Sequence, residues 1–505
     1  MLSIAILMLA HGPATNTAYP ATVSAIVAPT VYADDGPYEQ AKAEAGTAFA
    51  ADLEELAKWC HKSKAYRERN QIYELLLTVQ PDHKNARKTL GYTFDRKTEE
   101  WVRKREYREP KRSKPSVTLE AVDKRKQVVE ADVERRIAAL EKHGDSLDPA
   151  TKRAEVRAML EYAPDHEGLH ALIGNVRVPV EGGIDKWMGA TAANAVLRGR
   201  ELKTAREKGL TAAGRAQDDE AESQETGLGF VWAHTLRNDG MRVLTTGERS
   251  EAEQILSHVS MVWDYLPMVL GGSLEPGEDD AIYILTEDDA ATKFRDNFAL
   301  VSDDNREYWD VVRGTFLGTT TRMCLVGGSE RARLDMAMRQ TIGLYMWRVY
   351  GVSGKRGWLT EGIGLYLVHQ AVGTRLSMTL NESEYEREDK DYARSLTRDN
   401  EDWLALAASM IEKDEAPNLS FVVGKNVGTM TPRDLILSFA LAAYLIEGQG
   451  VDKTAEILRR VGGDPANGVE GEASAAVLSD VLGLTLPEVT PQLLRWLREA
   501  HGAGK

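Results

Sequence analysis

Cysteine is nearly missing from this 505-residue chain: Cys60 and Cys324 are the only two. Falling in segments read as different domains, two thiols make neither a disulfide framework nor a thiolate metal cluster. No Lys or Arg precedes Lys42. Past the N-terminus no apolar run reaches the ~18 consecutive residues that a membrane span needs. Histidine is absent between His258 and His369. Positive charge is outweighed, 63 Lys and Arg against 78 Asp and Glu, and the net charge of −15 excludes a general binder of nucleic acid or of anionic membrane surfaces. There is no Gly-x-Ser-x-Gly elbow and no Gly-x-Gly-x-x-Gly after a strand, and Gly351-Val352-Ser353-Gly354-Lys355 is too short for a phosphate-binding loop.

What is present is ordinary globular material, 43% hydrophobic and 28% charged, in a chain too long for a single core. Residues 1–33 read as a leader. An apolar run over 2–10 and an Ala/Pro-rich stretch end at Val31-Tyr32-Ala33, with small residues where a signal peptidase cuts. Export to a periplasm or cell envelope is the expectation; a cytoplasmic protein with an unstructured leader is the alternative.

A repeat follows. Leu75-Leu76-Leu77-Thr78-Val79-Gln80-Pro81-Asp82-His83, then Leu90-Gly91, recurs as Met159-Leu160-Glu161-Tyr162-Ala163-Pro164-Asp165-His166, then Ile173-Gly174. Each copy predicts a helix stopping before Pro, a turn with Asp as N-cap, and a second helix ending near Gly. The hairpins resemble tetratricopeptide units, but the copies lie 83 residues apart rather than in a regular array of about 34. The basic stretch 96–114, with interleaved Glu, reads as a solvated face. The polar, acidic stretch 217–226 reads as a linker.

Beyond it, strand and helix signals alternate: strands over 240–245, 281–285 and 322–326, and helices over 248–270, 329–350 and 358–372. The predicted architecture is multidomain and mostly α: a leader (1–33), a helical-repeat region (34–180), a helical segment with the acidic linker (181–227), an α+β domain with a small mixed sheet (228–375) and a C-terminal helical domain (376–505).

The stretch Trp358-Leu359-Thr360-Glu361-Gly362-Ile363-Gly364-Leu365-Tyr366-Leu367 resembles the helix that carries the third zinc ligand of gluzincin (peptidase MA-like) metallopeptidases. The order of elements around it also resembles theirs, as does the joining of such a domain to helical repeats in bacterial proteins of unknown function. The resemblance implies that Glu361 is the third ligand position, preceded on the long helix by His-Glu-x-x-His, two metal ligands one turn apart and a general base. At family-like spacing those positions hold Arg339-Gln340-Thr341-Ile342-Gly343. Arg repels a cation, Gln has no basic carboxylate and Gly has no side chain. The expectation is a degenerate site without metal or catalysis, in which Arg339 and Glu361 pair.

The chain's one complete His-Glu-x-x-His is His166-Glu167-Gly168-Leu169-His170, inside the repeat, where the first copy has His83-Lys84-Asn85-Ala86-Arg87. Its His is thus accounted for by the shared Pro-Asp-His turn. The principal expectation is a catalytically inactive peptidase-like protein that binds a protein or peptide partner, with no cofactor, no nucleic-acid partner and no transmembrane span. One alternative is an active zinc metallopeptidase using His166, Glu167 and His170; another is a purely structural helical-repeat adaptor.

Overall fold

The computed structural model describes residues 36–103, 110, 111, 113–180, 185–238, 241–274, 277, 280–307, 309, 314–318, 320–377, 389–398, 400–463 and 471–502. The expected leader lies outside the described residues, as does part of the basic stretch 96–114. The chain is mostly helical with a small mixed sheet. It divides into two compact units, Met1–Leu169 and His170–Lys505. No described helix is long and apolar enough to cross a membrane.

The first unit contains α1 (Pro37–Lys62), α2 (Tyr66–Val79), α3 (Lys84–Thr89), β1 (Tyr92–Asp95), β2 (Glu100–Arg103), α4 (Pro115–His143) and α5 (Pro149–Leu160). On α1, Phe49, Leu53, Leu56 and Cys60 recur every three or four residues and bury a stripe against Ile72 and Leu76 of α2 and Ala121 of α4. Pro opens α1, α4 and α5, where its missing amide would have had no helical partner.

The repeat differs from its reading at one residue. The cap of its second helix is the His, not the Asp: His83 Nδ1 accepts from the Ala86 amide (3.2 Å), and His166 Nδ1 accepts from the Leu169 amide (3.3 Å) at the start of α6 (Glu167–Leu172). Each copy then continues through a positive-φ glycine, Gly91 or Gly174, into an antiparallel hairpin, β1–β2 in the first and β3 (Asn175–Val178) with β4 (Lys186–Gly189) in the second.

The second unit adds α7 (Ala190–Ala212), then a sheet in the order β5-β6-β7-β8-β10-β9. Its strands are β5 (Gln217–Asp218), β6 (His234–Arg237), β7 (Arg242–Thr245), β8 (Ala281–Leu285), β9 (Gly314–Phe316) and β10 (Met323–Val326). The pairs β7–β8 and β8–β10 are parallel and the others antiparallel. Strand residues alternate between two apolar layers. Val243, Ile282, Ile284, Met323 and Leu325 face α8 (Arg249–Leu270) and α11 (Glu330–Tyr350). Leu244, Tyr283, Leu285 and Cys324 face Phe294 of α9 (Asp288–Asn297) and the following Phe298. After the short α10 (Asp303–Glu307) and α11 come α12 (Gly357–Val372), α13 (Asp389–Leu396), α14 (Trp403–Glu412), α15 (Leu419–Val422), α16 (Pro432–Ala443), α17 (Val451–Gly462), α18 (Ser474–Leu482) and α19 (Leu486–His501). The buried α12 is flush with α16: a Cβ at Gly362 would sit 2.5 Å from the Ser438 carbonyl oxygen.

The acidic stretch read as a linker is tied to the sheet. Its first residues form β5, and Asp219, Glu222 and Glu225 surround the buried Arg242 at 2.9, 2.6 and 3.0 Å. Arg322, also buried, reaches Glu222 and Glu225 and the Tyr283 hydroxyl. Burial works to raise the Asp219 pKa, but hydrogen bonds from Arg242 and Arg237 outweigh it and hold the group below the usual carboxylate range. Glu222 is lowered in the same way, against burial, by Gln224, Arg242 and Arg322.

Replacing Arg242 by Leu leaves Glu225 buried with less compensation, and should cost about 3–5 kcal/mol in the urea transition of the second unit. Because the folded pKa values of Asp219 and Glu222 lie below the unfolded value near 4, their stabilisation is complete above that value and is lost as pH falls through the folded values. The wild-type transition should therefore fall more steeply below pH ~4 than that of Arg242→Leu.

Candidate functional site

Helix α11 is capped by Ser329, whose Oγ accepts from the Ala332 amide, and ends on left-handed Gly351. Along it, Asp335, Arg339, Gly343 and Trp347 follow one another at intervals of four and so share a face. The first is fully buried, whereas Trp347 is 53% exposed. Against this face lies α12, which carries Thr360, Glu361 and Gly364.

Arg339 Nη2 donates to Glu361 Oε1 across the two helices, with the Arg side chain 11% and the Glu side chain 1% exposed. Gly364 makes the approach possible, since a Cβ there would lie 2.5 Å from Arg339 Nε. At Gly343 a Cβ would meet nothing within 4 Å; the space belongs to a cavity of about 400 Å³ lined by Arg339, Gln340, Gly343, Trp347, Glu361 and Ser377, among others. The structure thus brings Arg339, Gln340, Gly343 and Glu361 around one space.

Asp335 builds the wall beside them. Its carboxylate accepts from the Leu376 and Ser377 amides, both at 2.9 Å, fixing the segment after α12 against α11. Two polar atoms of lining residues, Arg339 Nη1 and Ser377 Oγ, are closed off from solvent and have no hydrogen-bond partner among the described residues.

Gln340 serves the sheet. Its Nε2 donates to the Gly314 carbonyl (3.1 Å), and Asn305 Nδ2 donates to the Phe316 carbonyl (2.9 Å). Leu317 N bonds Arg322 O at the end of the β9–β10 ladder. By antiparallel alternation, Gly314 and Phe316 are then the residues whose carbonyls point away from β10. Both outward carbonyls of edge strand β9 are therefore occupied by side chains of the chain itself.

The His-Glu-x-x-His residues are placed differently. His166 uses Nδ1 as a helix cap, and its Nε2 lies 3.6 Å from Glu134. The first copy repeats this, with His83 Nε2 at 2.6 Å from Glu54. The His170 ring stacks on Trp187 with centroids 4.3 Å apart, and its Nδ1 is 2.9 Å from Asn175 Nδ2. Glu167 opens α6 in its first turn. Among the described residues no three His, Cys, Asp or Glu side chains are grouped to hold a metal ion. Cys60 and Cys324 are buried and free, and burial raises both thiol pKa values, that of Cys60 to about 11, so neither is an activated nucleophile. His369 does not line the cavity; burial and then Arg375 lower its pKa.

Sequence reasoning misses Asp335, Trp347, Gly364 and Ser377. The first two are legible as the four-residue continuation of Arg339 and Gly343 along one helix, whereas Ser377 is brought in by tertiary contact alone.

Substituting Arg339 by Leu takes the guanidinium from a buried carboxylate and should destabilise the second unit by about 3–5 kcal/mol, whereas Arg339→Leu with Glu361→Leu should recover most of that loss. A neutral single substitution in chemical denaturation would leave the pair without a structural role. For the repeat, His166→Ala should cost about 1 kcal/mol and His166→Asn, which keeps a capping oxygen, markedly less, as read by thermal melting of the first unit. Comparison with family models, with curated proteins and with solved structures found no match.

Proposed function

We propose that this chain is a catalytically inactive, gluzincin-like protein that receives a peptide or a segment of a partner protein in the cavity between α11 and α12. The observation that carries the reading is the Arg339–Glu361 pair. The resemblance gives Glu361 the third ligand position and Arg339 the first, and a guanidinium in contact with that carboxylate supplies a cation without supplying a Lewis acid. Gln340 has no carboxylate to take a proton from water. The pair stands in an open cavity with an exposed Trp at its rim, the mix of apolar lining and a few convergent polar groups that small ligands use. With the outward carbonyls of β9 occupied, the ligand enters along α11 rather than as an added strand. An exported or envelope location and the helical repeats suit a binding role of this kind.

The test uses the full chain purified without chelator. Elemental analysis should find substoichiometric zinc, incubation with casein should give no new fragments, and a pool of blocked tripeptides should show saturable binding that weakens at least tenfold in Trp347→Ala, equivalent to about 1.4 kcal/mol. Stoichiometric zinc with casein cleavage, both lost on replacing His166 and His170 by Ala, would replace this reading with the active peptidase.

A further inference from the structure

The two copies of the repeat share a scaffold and differ in charge. From the start of α3 to the end of β2 the first copy carries six Lys and Arg against three Asp and Glu; from the start of α6 to the end of β4 the second carries two against three. Charge found in one copy only is not what the scaffold needs to fold. The hairpins also differ in what lies on them. In the second, the His170 ring stacks on Trp187, α7 runs along β3 with Arg200 Nη1 donating to the Pro179 carbonyl (2.6 Å), and Val178 is buried. In the first, the helix after the hairpin, α4, packs on α1 and α2, and Phe94 and Val102 stay 44% and 51% exposed. The β1–β2 sheet has two strands, so among the described residues its outer edges carry no further strand, the arrangement that invites an added one.

Pairing and alternation sort the side chains of this hairpin. Tyr92, Phe94, Trp101 and Arg103 stand on one face, and Thr93, Asp95, Glu100 and Val102 on the other. The first face is aromatic and cationic. Phe94 and Trp101 meet edge to face at 5.3 Å, and the Arg87 and Arg103 guanidinium carbons lie 4.7 and 5.8 Å from the centre of the Tyr92 ring. The carboxylates keep to the other face and, at Glu99, to the turn. A phosphate chain or a layer of lipid headgroups laid along the hairpin edge brings negative charge to both faces and meets them. A peptide strand does not, because its side chains alternate: acids stand beside the guanidinium groups while apolar residues stand beside Val102.

We propose that an extended segment of a partner protein, acidic and apolar at alternate residues, adds to an open edge of the β1–β2 hairpin as a third strand, its acids on the side of Arg87 and Arg103. None of the cavity residues takes part.

The experiment follows the full chain by fluorescence anisotropy with labelled Glu-Val-Glu-Thr-Glu-Val amide, its Lys-Val-Lys-Thr-Lys-Val counterpart, and two acidic versions N-methylated at the Glu residues or at the other three. The acidic peptide should bind saturably and about tenfold or more tighter than the basic one. Arg103→Glu, its folding checked by circular dichroism, should weaken it by about as much, whereas Lys186→Glu in the second hairpin and Trp347→Ala should leave it unchanged. Amides of an added strand point alternately to the hairpin and to solvent, so one N-methylated peptide should lose binding and the other keep it. Equal binding of the basic peptide, binding of both N-methylated peptides, or no binding of the acidic one overturns the proposal. Displacement of the peptide by tighter-binding oligothymidylate or phosphatidylglycerol vesicles overturns it in favour of a phosphate ligand. Loss of binding in Trp347→Ala but not in Arg103→Glu overturns it by placing the peptide in the cavity of the second unit.

Discussion

A largely buried guanidinium facing a buried carboxylate joins the two helices on which the candidate site is built. Glu361 lies on α12, the helix that packs flush against α16 through Gly362, and Arg339 on α11, the helix that covers one face of the sheet. Taking both ions out of water is costly, and their attraction offsets the cost only if their geometry is held. The structure around them does the holding: Gly364 clears the path of the guanidinium, Asp335 pins residues 376 and 377, and the apolar residues of α12 are buried in the common core. The cavity follows from the same arrangement, since the four-residue period that puts Arg339 on this face also puts Gly343 there and leaves space where a side chain would stand.

A second buried ionic system, Arg242 and Arg322 with Asp219, Glu222 and Glu225, ties the acidic stretch to the other side of the sheet. The two systems differ in what they leave unmet. The clamp is satisfied by several acids and the Tyr283 hydroxyl, which suits a structural tie. The Arg339 pair lines a cavity and keeps one buried donor without a partner among the described residues.

Much of the second unit is legible in the amino-acid sequence. Strands 281–285 and 323–326 stand out as short uninterrupted apolar runs, and the helices around 249–270, 330–350 and 357–372 as longer apolar stretches bounded by Gly or Ser. The acidic stretch 217–226 looks like a linker because composition alone cannot show that two arginines, one of them nearly a hundred residues away, bury against it. The Pro-Asp-His turn is recognisable as a repeat, yet its spacing points to the Asp as cap, since both residues can accept a hydrogen bond and only the backbone geometry decides between them. Of the site, Glu361 and the α11 positions 339–343 come from the family resemblance of the stretch 358–367 and the family-like spacing it implies. Ser377 cannot be read in this way, because Asp335 brings it in through two backbone amides that carry no sequence signature.

What occupies the space beside Glu361 decides between a binding site and a metal centre. A crystal structure of the full chain, grown with zinc and a blocked tripeptide and measured at the zinc absorption edge, tests this directly. The prediction is density for the peptide between α11 and α12, the Arg339–Glu361 pair intact, and no anomalous peak at Glu361. A zinc peak on Glu361 with Arg339 turned away would contradict it.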